Sequence, residues 1–283
     1  MSTLRRLRRS ESGFTLAELA ISMIIIALLI GGLLGPIGRQ VDQSRVNSTQ
    51  RQLEDIKESL LGYAVIYRRL PCPDLTGDGI EDRLTDPPNP PNMVGACGDP
   101  ANGIVRTLGR LPWATLNLTE SDAWNTRFGY RVASEFSVSA NPLPLPSGVL
   151  WGLSFPAATS GTIVINQRNA NKTTTPLAGG ALATDPPGAA AIIWSFGKNA
   201  HGGTQAGGVA RALAPLINVD EIANANANAG TVGTPFIVRT PTDAATPCSD
   251  TAGANQMCEF DDILLWLSAH IVISRMVVAG RMP

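Results

Sequence analysis

Oxygen-bearing groups recur along Asp74-Leu75-Thr76-Gly77-Asp78-Gly79-Ile80-Glu81-Asp82 at the spacing of a calcium loop. Asp74, Thr76, Asp78 and Asp82 fall at the first, third, fifth and ninth positions, and the Ile80 carbonyl can serve at the seventh. Gly79 stands at the sixth, where such a chain turns sharply. The twelfth position calls for a bidentate glutamate and holds Thr85, so the expected site is weak and suits a calcium-rich compartment. The competing reading is a polar glycine-bearing turn with solvated carboxylates. A second group with chemical potential is Glu18, the one charged residue between Phe14 and Leu34. A carboxylate in so apolar a run is costly alone and implies a partner or a purpose.

Catalytic patterns are missing. The sequence has no Gly-x-Ser-x-Gly elbow, phosphate loop or His-Glu-x-x-His, and its two histidines are His201 and His270. His201, beside Gly202-Gly203, reads as a loop residue, and His270 as the edge of a C-terminal helix. The expectation is a protein that is not an enzyme and requires no cofactor, with calcium as the one candidate ion. Net charge is −1 and no basic run follows residue 9, so nucleic acid is not an expected partner.

The elements that position these groups follow from the hydropathy pattern. Arg5, Arg6, Arg8 and Arg9 stand against Glu11 in a basic leader, residues 1–13. Residues 14–35 then form an apolar segment, and the run Phe14–Leu34 would make a helix of about 31 Å, enough to cross a hydrocarbon core of about 30 Å. The arginines keep the start in the cytoplasm and send the rest outward. Gly31, Gly32, Gly35 and Pro36 permit a bend just past the span. Residues 36–70 continue the helix with an apolar stripe at Leu53, Ile56, Leu60, Ala64 and Tyr67, and Pro71 and Pro73 end it.

Residues 71–283 read as one extracytoplasmic domain, loop-rich because the chain's Gly 28 and Pro 21 concentrate there. Expected strands are Phe128–Val132, Val149–Phe155, Thr162–Ile165, Ala190–Phe196 and Phe236–Arg239, with a low-complexity loop at Asn224–Asn228. Phe260–Ala279 reads as an amphipathic helix closed by Gly280. The fold class is therefore α+β: a long N-terminal helix, membrane-spanning in its first half, packed on an antiparallel sheet with a C-terminal helix. Four cysteines in an exported segment imply two disulfides. Spacing leaves three connectivities open; the sequence-local one pairs Cys72 with Cys97 and Cys248 with Cys258. Zinc is disfavoured, since no Cys-x-x-Cys occurs.

The basic leader, Gly13-Phe14-Thr15-Leu16-Ala17-Glu18 and the apolar run resemble the N-terminus of type IV prepilins and type II secretion pseudopilins. A secretory signal peptide carries its small-residue cleavage site after the apolar stretch, whereas Gly13 precedes it here. The resemblance implies that a prepilin peptidase cuts between Gly13 and Phe14 and methylates the Phe14 amine. It also implies that Glu18 pairs with the Phe14 amine of a neighbouring subunit in a fibre. An ammonium from the next subunit would offset much of the cost of a carboxylate in a low-dielectric bundle.

Three later segments are similar to segments of major type II pseudopilins. Asp122-Ala-Trp124-Asn125-Thr-Arg127-Phe-Gly129-Tyr130 resembles Asp-x-Trp-Gly-Asn-x-x-x-Tyr. Ser195-Phe-Gly197-Lys-Asn199 resembles Ser-Leu-Gly-x-Asp, and Asp261-Asp262-Ile263-x-x-Trp266 resembles Asp-Ile-x-x-Trp. Asn125 departs from a glycine and Asn199 from an aspartate of that family's calcium loop, so the resemblance does not carry its calcium site over residue for residue. Together these features imply a structural subunit, minor pilin or pseudopilin, of a type IV pilus or type II secretion pseudopilus. Its partners would be the peptidase, other subunits, assembly platform proteins and the bacterial inner membrane, with the C-terminal domain periplasmic. The alternative is a membrane-anchored binding or adhesion module that is not built into a fibre.

Overall fold

The computed structural model describes residues 15–84, 95–137, 161–180, 185–226, 235–253 and 255–280, and the side chains of all of these except 30–37. The chain divides into two compact units, Met1–Arg45 and Val46–Pro283. Helix α1, Leu16–Tyr67, begins in the first and ends in the second. In the first unit the apolar residues cover every side of the helix: Leu19, Ile21, Met23, Ile24, Leu28 and Leu29 are all exposed. A helix that is apolar all round is one that buries itself in lipid or in other helices. Among the described residues no helix is long and apolar enough to cross a membrane. Gly31, Gly32, Gly35 and Pro36, which permit a bend or local melting, do not interrupt helix α1. Pro36 removes one N–H from a long ladder of bonds, a loss the helix absorbs.

In the second unit α1 turns amphipathic. Thr49, Leu53, Ile56, Leu60 and Ala64 recur at three- and four-residue steps and are all buried. Each Leu or Ile so buried contributes about 1.5–3 kcal/mol. Tyr67, expected on this stripe, is exposed, because the helix ends there and Arg68 takes a left-handed φ of 57°. The stripe shares its core with a four-stranded antiparallel sheet of order β3-β4-β7-β9: Leu108–Arg110, Gly129–Val132, Ala189–Ser195 and Ile263–Ser268. Strand β7 (Ala-Ala-Ala-Ile-Ile-Trp-Ser) is buried at every residue, as a central strand covered on both faces must be.

A second sheet, β6-β5-β8, joins Thr174–Ala178, Ile165–Arg168 and Phe236–Val238. Its β5–β8 pairing is parallel, a departure from the all-antiparallel expectation. Phe236 lies 5.0 Å from the Trp194 ring of the first sheet. A short hairpin, β1 Gly98–Asp99 and β2 Ile104–Val105, and two helices, α2 Ser134–Ser137 and α3 Val219–Asn226, complete this part. The expected strands at 128–132, 190–196 and 236–239 are found within a residue or so; Val149–Phe155 lies outside the described residues.

Two expectations are corrected. Phe260–Ala279 is not one helix: Ile263–Ser268 pairs with β7 as β9, and only Ala269–Val278 is helical, as α4. The five apolar residues from Ile263 to Leu267 satisfy either period, and the open edge of β7 decides. Ser268 then caps α4, its Oγ accepting from Ile271 N at 3.4 Å. The loop expected at Asn224–Asn228 begins inside α3, where Asn224 is buried and its side chain exchanges hydrogen bonds with the Ile237 backbone at 2.7 and 3.0 Å.

Candidate functional site

The residue before α1, Thr15, caps it. Thr15 N and Oγ1 donate to Glu18 Oε2 at 2.9 and 3.0 Å, and Glu18 N donates to Thr15 Oγ1 at 3.3 Å. This is a capping box, with Thr-x-x-Glu satisfying the free donors of a helix start. Both bonds from Thr15 fall on one carboxylate oxygen, and the Glu18 side chain is exposed. The cap therefore uses one of the carboxylate's two oxygens. The expected cleavage and methylation residues, Gly13 and Phe14, lie outside the described residues.

The predicted calcium loop folds as a turn that answers its own backbone. Asp74 accepts from Gly77 N and, at 3.0 Å, from Gly79 N. Asp78 accepts from Ile80 N at 2.9 Å, and Asp82 Oδ2 accepts from Leu75 N and Thr76 N at 2.6 and 2.9 Å. The carboxylates of Asp74, Asp78 and Asp82 are thus not gathered around one point, and Ile80 is exposed. Their neighbour Glu81 binds Arg69 in two parallel bonds of 2.8 Å and also accepts from Arg83, Tyr63 and Cys72 N. Burial alone would raise its pKa; the Arg69 hydrogen bonds and the Arg83 charge outweigh it and hold Glu81 at about 2. The structure joins Cys72 to Cys97 and Cys248 to Cys258.

A different set of carboxylates does converge. Glu221 in the first turn of α3 and Asp261 and Asp262 just before β9 present oxygens that all lie within 4.8 Å of one another, close enough to hold a metal ion. It is the one such group among the described residues. Asn199 N donates to Asp261 Oδ2 and its side chain to Glu221 Oε1, both at 2.8 Å. Asn218 and Asn224 donate to Glu221 Oε2 and Asp262 Oδ2 at 2.9 and 2.8 Å. Asp261 Oδ1 is buried and meets no donor within hydrogen-bond geometry among the described residues. Burial, reinforced by the charges of Glu221 and Glu259, pushes Asp261 up to about 7. Asp262 is raised well above its ordinary value too, by burial and by the charge of Glu221. A divalent cation would relieve both burdens at once.

Two of the three segments that resemble pseudopilins meet at this cluster, and the other is joined to one of them. Asp122 accepts from Trp124 N and Thr126 N at 2.9 Å with one oxygen and from Ser195 Oγ at 2.5 Å with the other, which ties the first segment to the second. Asn199 ties the second to the third. Asn125, standing where that family has glycine, has a φ of 63°, a left-handed conformation asparagine tolerates. Gly197, at φ 61°, lies so near Asp261 that a Cβ there would come within 2.3 Å of Oδ1. Glu221 was not among the sequence candidates. It follows no motif and lies far from Asp261 in the chain, so only the fold reveals it.

Comparison with known proteins speaks for the N-terminus alone. Residues 8–34 match the family described as the prokaryotic N-terminal methylation motif, the type IV prepilin-like signal. That motif supports a pilin- or pseudopilin-like precursor, a structural kind of protein. No curated protein and no solved structure matches the chain.

Proposed function

We propose that this chain is a minor pilin or pseudopilin: a structural subunit cleaved between Gly13 and Phe14 by a prepilin peptidase, methylated at Phe14 and assembled into a fibre through the first half of α1. The observation that carries the reading is Glu18, a single carboxylate in an apolar helix whose capping box uses only one oxygen. The second oxygen is the acceptor for the Phe14 amine of a neighbouring subunit. Before assembly the apolar segment anchors the protein in the inner membrane with its C-terminal domain in the periplasm. The bulk of the loop-rich domain favours a minor subunit, because large domains hinder dense helical packing of many copies. Catalysis has no part in this function. Mass spectrometry of the mature protein tests the processing step: a chain starting at methylated Phe14 is expected, and any other start overturns it. Glu18→Ala tests assembly, which should be lost while the anchored protein persists.

Calcium belongs to this reading as a structural ion, held by Glu221, Asp261 and Asp262. Support comes from the convergence at this cluster of the two segments, Ser195–Asn199 and Asp261–Trp266, that resemble the pseudopilin glycine loop and closing motif. Hard oxygen ligands of this kind suit calcium.

A further inference from the structure

We propose that the unit beginning at Val46 binds a small anion bearing carboxylate or phosphate oxygens in a cleft walled by Arg106, Arg110 and Arg127. The cleft has a volume of ≈ 310 Å³ and opens between the turn after Cys72, strand β3, the start of β4 and the loop after β7. That volume suits a small ligand. Its charged lining is three guanidinium groups against one carboxylate, Asp74.

Asp74 forms an ion pair with Arg110 but no hydrogen bond to its Nε. Its oxygens accept from Gly77 N and Gly79 N, and its approach to Arg110 Nε is 3.7 Å, beyond hydrogen-bond length. Arg110 Nε is buried without an acceptor among the described residues. Arg110 Nη2 donates to Leu75 O at 2.7 Å, and Arg127 grips Glu120 through Nε and Nη2 at 2.7 and 2.5 Å. Even so, both guanidinium groups converge on Gly77. A Cβ at that residue would stand 3.2 Å from Arg110 Nη2 and 3.3 Å from Arg127 Nη1. Gly77, at φ 94°, leaves the space between them open.

Arg110 and Arg127 each have one carboxylate beside them, Asp74 and Glu120, which leaves Arg106 as the cleft's unbalanced cation. Guanidinium forks match the paired oxygens of carboxylate and phosphate, and an anion balances the excess charge of the group. Arg106, exposed at the rim, supplies the third cation, and Leu75 and Phe196 give a short carbon frame an apolar wall. None of these residues belongs to the assembly motif or the acidic cluster, so the site stands or falls apart from both.

The test is calorimetric titration of the full chain in non-ionic detergent at low salt, with succinate in one arm and inorganic phosphate in the other. Saturable binding of at least one is expected, weakening as sodium chloride is raised. The stronger arm shows whether the site reads a dicarboxylate or a phosphate. Arg110→Gln and Arg127→Gln should each weaken binding about tenfold or more, the loss of a charge-assisted hydrogen bond. Arg106→Gln, a change at an exposed residue, should weaken it about threefold without altering the fold, and it decides the matter if the other two variants do not fold. Glu18→Gln should bind as the unaltered chain does. Absence of saturable heat from both anions, or undiminished affinity in Arg106→Gln, overturns the proposal.

Discussion

Thr15 and Glu18 hold each other across the first turn of α1, with both bonds from Thr15 ending on Glu18 Oε2. The carboxylate therefore serves its own helix and still offers an oxygen to a neighbour. Capping and intersubunit pairing need not compete.

That relationship separates two roles by one substitution. Glutamine also completes a capping box, so Glu18→Gln keeps the helix start and removes only the charge. If the charge pairs with the Phe14 amine, Glu18→Gln should fail to enter fibres as fully as Glu18→Ala does. Sheared-fibre fractions compared with membrane fractions measure this. Normal incorporation of the glutamine variant would show that Glu18 is a cap and nothing more.

The acidic cluster and the Asp74 turn make opposite demands on a calcium titration. Calcium at a hundredfold excess over its dissociation constant should stabilise the domain by about 3 kcal/mol, a rise of roughly 5 °C or more in thermal midpoint. Glu221→Gln should abolish that rise and Asp78→Ala should leave it intact. The reverse pattern would return the ion to the loop first read from the sequence.

Glu81 fixes the acid limit. Its pKa is about 2 in the folded chain, against 4.5 as its ordinary value. A depressed carboxylate stabilises the fold above its unfolded pKa, and that contribution drains away as pH falls from about 4.5 to about 2. Its size is about 3 kcal/mol for a pair so little exposed. Glu81→Gln should flatten the acid limb of stability against pH in urea melts. An unchanged limb would mean that the Arg69–Glu81–Arg83 group contributes nothing net.

Arg239 makes the strongest structural prediction. It lies wholly buried between Asp220 and Asp250, at 3.1 and 3.2 Å, and covers the Phe260 ring at 4.7 Å. Arg168 binds the same Asp220. Arg239→Leu leaves buried Asp250 without its cation and Asp220 with Arg168 alone, and should cost about 3–5 kcal/mol. Urea denaturation followed by circular dichroism would register it; a loss below 1 kcal/mol would contradict the burial.

The sequence was legible where a period ran long. The stripe from Leu53 to Ala64 repeats often enough to name its buried face, and strand β7 announces itself as an unbroken apolar run between glycine and serine. Where the run is short the period is ambiguous: Ile263–Leu267 fits helix or strand, and only pairing with β7 decides. Sites assembled from distant residues were legible least. Glu221, Asp261 and Asn199 each look unremarkable in place, and Arg110 meets Arg127 only because β3 and β4 lie side by side. Local spacing shows less than the fold does: the Asp74–Asp82 carboxylates have calcium-loop intervals, and the structure adds that backbone N–H groups of the same turn donate to them.

Strand β9 brings a consequence for the order of events during synthesis. It supplies the outer strand next to β7, and the residues just before it supply two of the three clustered carboxylates. All of these come late in the chain. A polypeptide interrupted anywhere before Asp261 would leave the most buried strand with a bare edge and Glu221 without its companions. Completion of the sheet and completion of the cluster both wait on the same late stretch of chain, so a molecule that stops short of it has neither.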